Sequence, residues 1–500
     1  MFVLFGLYAS CVIDVYMSFY LHCVLMRCVC AFPSKLVSIS LMLMLISVIS
    51  DGYIFSTQIS IYAQELPSPN AATLQPSVPY VSDPSLSVQT VATGLNLATD
   101  MEFLSDDDIL VLEKNTGAVR RVVNGTLLKD PLLDVDVATK DEWGMLGIAI
   151  AEGVGHTYVF LYYTEARQGA GDDLGGQDPL GNRLYRYELV DGKLTNGKLL
   201  LDLPAASSHD NGGKIKIGPD NNVYLVVGDQ QDPVPEGQPL THLTTTQNAP
   251  KGLFPDGTAG ILRLTQDGMP VQNIIGGNSP VLDLYYAYGI RNSLGIGFDP
   301  ENGNLWDTEI GPDRDDEINL VDPGFNSGWR KIQGLAASNS QISDLVDFPG
   351  LSAAKYSIVG LIEELSYRFQ GLGGKYSDPE FVWQIPIYPT AIEFLDSKVL
   401  GGKYQSDIFV GSNKDGRITH FHLNEERNGL YLRGPLRDRI ENNPQGYNAT
   451  VFARNFGSVI DLETGPDGYL YVLSLTGNEG GNEGRIYRIV PRNATASTIS

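Results

Sequence analysis

The chain is poor in several residue types that carry much of protein chemistry. Of its 500 residues only four are cysteine, Cys11, Cys23, Cys28 and Cys30, so everything after Cys30 is cysteine-free. That excludes a disulfide framework and a thiolate metal site from the main body. Histidine is nearly as scarce, with six copies at His22, His156, His209, His242, His420 and His422. There is no His-Glu-x-x-His, no Gly-x-Ser-x-Gly elbow and no Gly-x-x-x-x-Gly-Lys-Ser/Thr loop, which removes the commonest zinc-protease, serine-hydrolase and nucleotide-binding signatures. Positive charge is in deficit: 35 Lys and Arg against 59 Asp and Glu leave a formal charge of -24. This is the reverse of a nucleic-acid footprint, and no nucleic-acid partner is expected. Long amphipathic periodicity is also scarce, and Ser357–Tyr367 is the best short helix candidate.

What is present falls into three regions. Residues 1–26 are almost wholly apolar apart from Asp14, and Leu36–Ile49 form a second apolar run behind Arg27 and Lys35. A basic stretch followed by an apolar run reads as a secretory signal or an N-terminal membrane anchor over residues 1–64. The body is therefore expected to be exported, extracellular or at the cell surface, and sequons at Asn124, Asn448 and Asn493 fit that surface. Residues 65–90 are rich in Pro and Ser and read as a linker. From 91 to 492 the chain reads as short apolar strands rich in Val, Ile, Leu and Tyr, separated by Gly, Asn and Asp turns.

Within that body a degenerate unit repeats, centred on Asp108–Val123, Tyr158–Leu203, Lys214–Leu264, Ile296–Val321, Ala391–Leu423 and Val459–Ile489. Its clearest echo is Gly218-Pro-Asp-Asn-Asn-Val-Tyr-Leu-Val against Gly465-Pro-Asp-Gly-Tyr-Leu-Tyr-Val-Leu. A single core stops growing near about 250–300 residues, so a body this long is expected to distribute its core. Six units of this length suit an all-β, six-bladed propeller with four-stranded blades. Irregular stretches at 166–181, 231–258 and 334–380 are expected to wall one face of it.

Candidate chemistry concentrates in two polar, glycine-rich segments. His209 precedes Asp210-Asn-Gly-Gly, and Asp229 ends the next strand, where a carboxylate would orient the imidazole as a general base. A histidine bonding turn backbone is the competing reading. His420 and His422, at strand spacing, read as a solvated strand face. The second segment runs from Tyr288-Gly-Ile-Arg-Asn292 through Gly311-Pro312 to Asp315-Asp-Glu-Ile-Asn319 and Gly324-Phe-Asn-Ser-Gly-Trp329. Its acidic triplet is either a calcium site or a solvated acidic turn.

Taken together and in this order, these motifs resemble the soluble quinoprotein glucose dehydrogenase family, which includes aldose sugar and glucose/sorbosone dehydrogenases. The resemblance covers roughly residues 90–490 and implies a propeller that uses pyrroloquinoline quinone and calcium. By it, His209 matches the base that takes the proton from the sugar C1 hydroxyl. Asp229 matches its orienting carboxylate, and Arg291 the cation beside the quinone oxygens. Glu142 (where the family often has Gln), Asn292, Trp383 and Lys414 match cofactor-binding positions, although Lys414 also reads as a hairpin lysine and Trp383 as core. The carbonyls of Gly311 and Pro312 match calcium ligands. The partners implied are an aldose substrate and an external electron acceptor.

One departure stands out. Two arginines of the glucose-oxidising members are Ser458 and Ile460 here, with Arg454 nearby as a possible replacement. The competing functions are a non-enzymatic propeller that binds a glycan or protein after losing its cofactor site, and a calcium-dependent lactonase.

Overall fold

The computed structural model describes residues 78–492 except 154, 168–177, 233–241, 250–251, 278, 337–373 and 477–482. The leader, most of the linker, the Ser357–Tyr367 helix candidate and Asn493 lie outside the described residues. All described residues belong to the unit that begins at Leu74.

That unit is an all-β propeller. Its only α-helix among the described residues is Pro444–Thr450, started by Pro444 and capped by the Asn443 side chain, which accepts from the Gln445 and Gly446 amides. The six repeat copies fall on six different sheets of four to six strands. Two sheets carry four strands, and short extra strands widen the others. One end strand of each sheet is innermost, packed against the end strands of the neighbouring sheets: β1 (Ala98–Ser105), β2 (Met145–Gly153), β3 (Ile215–Ile217), β4 (Ser293–Phe298), β5 (Pro389–Phe394) and β6 (Ser458–Thr464).

Among the described residues there is no single core. Buried apolar side chains form clusters that each bridge two neighbouring sheets. Ile148, Val159 and Leu161 pack with Leu110, Leu112 and Val119; Phe160 and Tyr162, on alternate positions, pack on the other side with Ile215 and Leu225. Alternation along a strand sends successive residues to opposite faces, so a strand with two apolar faces joins two interfaces. The same pattern continues through Tyr224 with Ile296, Trp306 with Ile392, Phe409 with Val459, and Tyr471 with Met101.

The first described strands join two sheets built from the C-terminal part of the chain. Leu86–Asn96 pairs antiparallel with Glu483–Pro491, from Leu86 opposite Pro491 to Asn96 opposite Glu483, and Tyr80–Val81 pairs with Val451–Arg454. This corrects the linker reading for residues 80–90. The Pro and Ser density there marks an entry to paired strands, because the unpaired edge of Glu483–Pro491 offers main-chain groups to any extended segment in reach.

The echoed turns share one construction. In each, the glycine amide bonds the carbonyl four residues on (Gly218 to Asn222, Gly465 to Tyr469, both 2.9 Å). In each, the Asp side chain accepts from that same residue's amide and from a Tyr hydroxyl, Asp220 from Tyr224 and Asp467 from Tyr471. The left-handed position is Asn221 (φ 62°) in one and Gly468 (φ 81°) in the other, residues that tolerate that region.

Candidate active site

A cavity of about 530 Å³ opens where the innermost strands converge. Thr99, Leu146, Lys214, Leu294, Thr390 and Ile460 line it, one residue on or beside each of β1 to β6. That volume lies in the range of small-molecule sites.

At one side of the cavity Lys214 is clasped by carboxylates: Asp100 Oδ1 and Asp461 Oδ1 at 2.7 Å and Glu463 Oε1 at 3.3 Å. Burial alone would strip its proton, but the three carboxylates outweigh burial and hold its pKa well above the usual lysine range. Lys216 bonds the same Glu463. These charges come from three sheets. The alternation Lys214-Ile-Lys-Ile hinted at two lysines on one strand face, but nothing local in the sequence signalled their distant acidic partners.

The opposing wall is built on Arg291 and Asn292, in the turn between Tyr285–Tyr288 and β4. Arg291 Nη2 donates to Asp210 Oδ2 at 2.9 Å, and Asn292 Nδ2 to Asp210 Oδ1 at 3.2 Å. The Arg291 Nη1 donates to the carbonyls of Ile310 and Gly311 at 3.1 and 3.4 Å. Burial pushes the Asp210 carboxyl up to about 6, against the pull of Arg291. Glu142 accepts from the Asn211 amide at 3.3 Å, and burial raises its pKa as well. Glu142, Arg291, Asn292, Gly311 and Pro312 all line the cavity, as do Asp141, Asp210, Lys114 and Tyr388, which the sequence reading missed.

His209 does not itself line the cavity; it stands behind the lining residue Asp141, between two acids. Its Nδ1 is 3.5 Å from Asp232 Oδ1 and its Nε2 3.9 Å from Asp141 Oδ2, with 36% of the side chain exposed. Ser207 fixes Asp232 (2.7 Å) and the His209 amide (2.9 Å), while Ser208 fixes Asp141 (2.6 Å). The hydrogen bond from Ser208 lowers the Asp141 pKa.

Asp229 is not the acid that faces His209. It is wholly buried, accepts from Trp329 Nε1 at 2.6 Å and lies 3.6 Å from Arg330 Nη1; burial pushes its pKa up to about 7. It acts on the site from behind: Trp329 stacks under the Arg291 guanidinium at 5.7 Å. The strand ending at Val227 turns Asp229 inward, so proximity in sequence to His209 did not become contact.

Two further expectations change. Trp383 is fully buried, edge-on to Phe381 (5.2 Å) and Phe421 (6.0 Å), and belongs to the core between two sheets. Arg454 is held on an outer strand by Tyr447 Oη at 2.7 Å and Asn448 Oδ1 at 3.3 Å, so it does not replace the missing arginines; Ile460 presents an apolar surface to the cavity instead. Lys414 is exposed, its ammonium 5.2 Å from the Tyr388 ring, and its neighbour Asn413 lines the cavity.

The acidic triplet is not a solvated turn. Asp316 and Glu317 are buried, and Asp316 accepts from the Gly311, Ile387 and Tyr388 amides at 2.7–2.9 Å. Glu317 joins Glu309 and Asp307 in a fully buried carboxyl cluster. Burial and mutual repulsion push Glu309 up to about 8 and Glu317 well above its usual range. Neither Asp307 oxygen has a hydrogen-bond partner of good geometry, and Asn319 and Ser293 only partly offset the burial that pushes its pKa up to about 7.

A propeller with a cavity that holds charged side chains where its inner strands meet is a scaffold for small-molecule chemistry, and comparison identifies which one. The family model for glucose / sorbosone dehydrogenases matches residues 95–363, and the chain belongs to that family. It is 24% identical to the aldose sugar dehydrogenase YliI of Escherichia coli over 415 residues, 82% of this chain and 94% of that one. It is 29% identical over 284 residues to quinoprotein glucose dehydrogenase B of Acinetobacter calcoaceticus, covering 51% and 57% of the two chains. The solved PQQ-bound aldose sugar dehydrogenase of Streptomyces coelicolor shares the fold, with a TM-score of 0.54, 22% identity, and 81% and 98% coverage.

Proposed function

We propose that this protein is an aldose dehydrogenase that oxidises the C1 hydroxyl of a sugar to the lactone, with pyrroloquinoline quinone as cofactor, calcium as its counter-ion and an external electron acceptor. The observation that carries the reading is the cavity wall on which Arg291, Asn292, Glu142, Gly311 and Pro312 converge, with His209 behind its lining residue Asp141. We read the six sheets as six blades of one ring around this cavity. We also place the protein outside the cytoplasm, on the strength of its leader.

The residues fit the cofactor. Its three carboxylates need donors, and Arg291, Asn292 and Lys114 offer them at the wall. Burial raises the Glu142 pKa, which works against a full negative charge beside an anionic cofactor. Calcium prefers oxygen donors. The Gly311 and Pro312 carbonyls would hold one ion at the wall.

When bound, the quinone supplies the two-electron acceptor for hydride from C1. The chain's own part is proton handling, orientation and electrostatics. His209 Nε2 takes the hydroxyl proton, and Asp141 and Asp232 on either side offset the charge that the imidazole gains. Arg291, aligned by Asp210 and Trp329, stabilises negative charge that develops at the wall.

The test is reconstitution. The purified full chain, given the quinone and calcium, is expected to reduce an artificial dye with a panel of aldoses. Absence of both dye reduction and calorimetric quinone binding overturns the proposal.

A further inference from the structure

A second constellation lies away from the cavity. Ile408–Ser412 pairs antiparallel with Ile418–Phe421, with Phe409 opposite His420. Alternate strand residues share a face, so Asp407, Phe409, His420 and His422 point the same way. His420 Nε2 and His422 Nδ1 lie 2.8 and 2.7 Å from one and the same oxygen, Asp407 Oδ2. The sequence reading of a solvated strand face holds for His422, whose side chain is 55% exposed, but not for His420, at 14%; their shared partner Asp407 is buried as well.

We propose that Asp407, His420 and His422 form a binding site for a divalent late first-row transition-metal ion of the zinc class. Two imidazole nitrogens and one carboxylate oxygen are the donor set such ions take, and three protein ligands leave a further position for water or an exogenous ligand. The three ligand atoms all lie within 4.8 Å of one another. Bonds of about 2.0–2.2 Å in a tetrahedral arrangement separate ligand atoms by roughly 3.3–3.5 Å, so each imidazole needs to part from the Asp407 oxygen by only about 0.5–0.8 Å. The site is also held in place. His420 stacks on Phe409 (centroids 4.9 Å apart, 25°) and meets the edge of Tyr404 at 5.2 Å.

Entry is open, because His422 reaches solvent. None of the three residues lines the cavity, so this site is independent of the sugar chemistry proposed above.

The experiment is titration of the chelator-treated full chain with Zn²⁺ by calorimetry, and with Co²⁺ by visible absorption. Wild type is expected to bind the ion and to develop cobalt d–d bands. Loss of even an outer partner of a metal ligand weakens binding by about 10–100-fold, so His422→Ala should weaken it at least tenfold and abolish the bands. Asp407→Asn should do the same. His422 is exposed enough for its variant to fold, and circular dichroism verifies that. No ion uptake by wild type, or equal affinity and stoichiometry in wild type and His422→Ala, overturns the proposal.

Discussion

Replacing Lys214 by methionine keeps the length and apolar stem of the side chain but deletes the ammonium that Asp100, Asp461 and Glu463 surround at 2.7–3.3 Å. All three acids are buried, and only Glu463 retains another cation, Lys216. Removing one partner of a buried ion pair costs about 3–5 kcal/mol, chiefly through the charges left behind. Such carboxyls escape part of that cost by binding protons, which sets the pH dependence. Burial already pushes Asp461 from 3.8 up to about 7, with Lys214 pulling it down. Between those values the folded form binds more protons than the unfolded chain, so this group's contribution falls as pH rises from about 4 to 7. Without Lys214 the folded pKa rises further and the fall extends to higher pH. Urea unfolding of Lys214→Met should therefore show a loss of about 3 kcal/mol or more at pH 8, shrinking towards pH 5, and Asp461→Asn in the same background should recover part of it. A deficit that is equal at the two pH values would show that packing, not charge, holds this cluster, and no deficit at pH 8 would refute the reasoning.

His209→Gln should lower dye-linked turnover by about 10²–10⁴-fold, the usual contribution of a general base, with Asp232→Asn costing less; unchanged turnover in His209→Gln removes it from the mechanism. Ile460→Arg places a guanidinium at the cavity wall, and a charge-assisted contact worth about 1.5–3 kcal/mol should tighten quinone binding about tenfold or more, read by calorimetry with calcium present; equal affinities would show that no donor is missing there. Trp383→Ala should cost about 3–5 kcal/mol in urea unfolding, as expected of a core aromatic; selective loss of quinone affinity with stability intact would return it to the site.

Much of the fold was legible because it is written in local signals. Strand-length apolar runs, turn residues at regular intervals and the Gly-Pro-Asp echo are properties of neighbouring residues, and the six repeat copies each fall on their own sheet. The second segment, from Arg291 to Pro312, was likewise readable, since its residues lie at the ends of β4 and of the strand after it and reach one wall together. What the sequence could not decide was direction. Asp229 and Asp232 are both close to His209 along the chain, and only the turn after Val227 sends the first into the core behind Trp329 and leaves the second beside the imidazole. Trp383 was ambiguous for the same reason: an aromatic on a strand faces either the cavity or the next sheet, and the register with Phe381 and Phe421 chose the latter. The Lys214 cluster depends on charges brought together from distant strands, and the His420–His422–Asp407 constellation on the register between two paired ones. Local sequence determines which segments become strands and turns; which of their polar groups meet is set by tertiary packing, because Coulomb and metal-ligand interactions depend on separation in space and not along the chain.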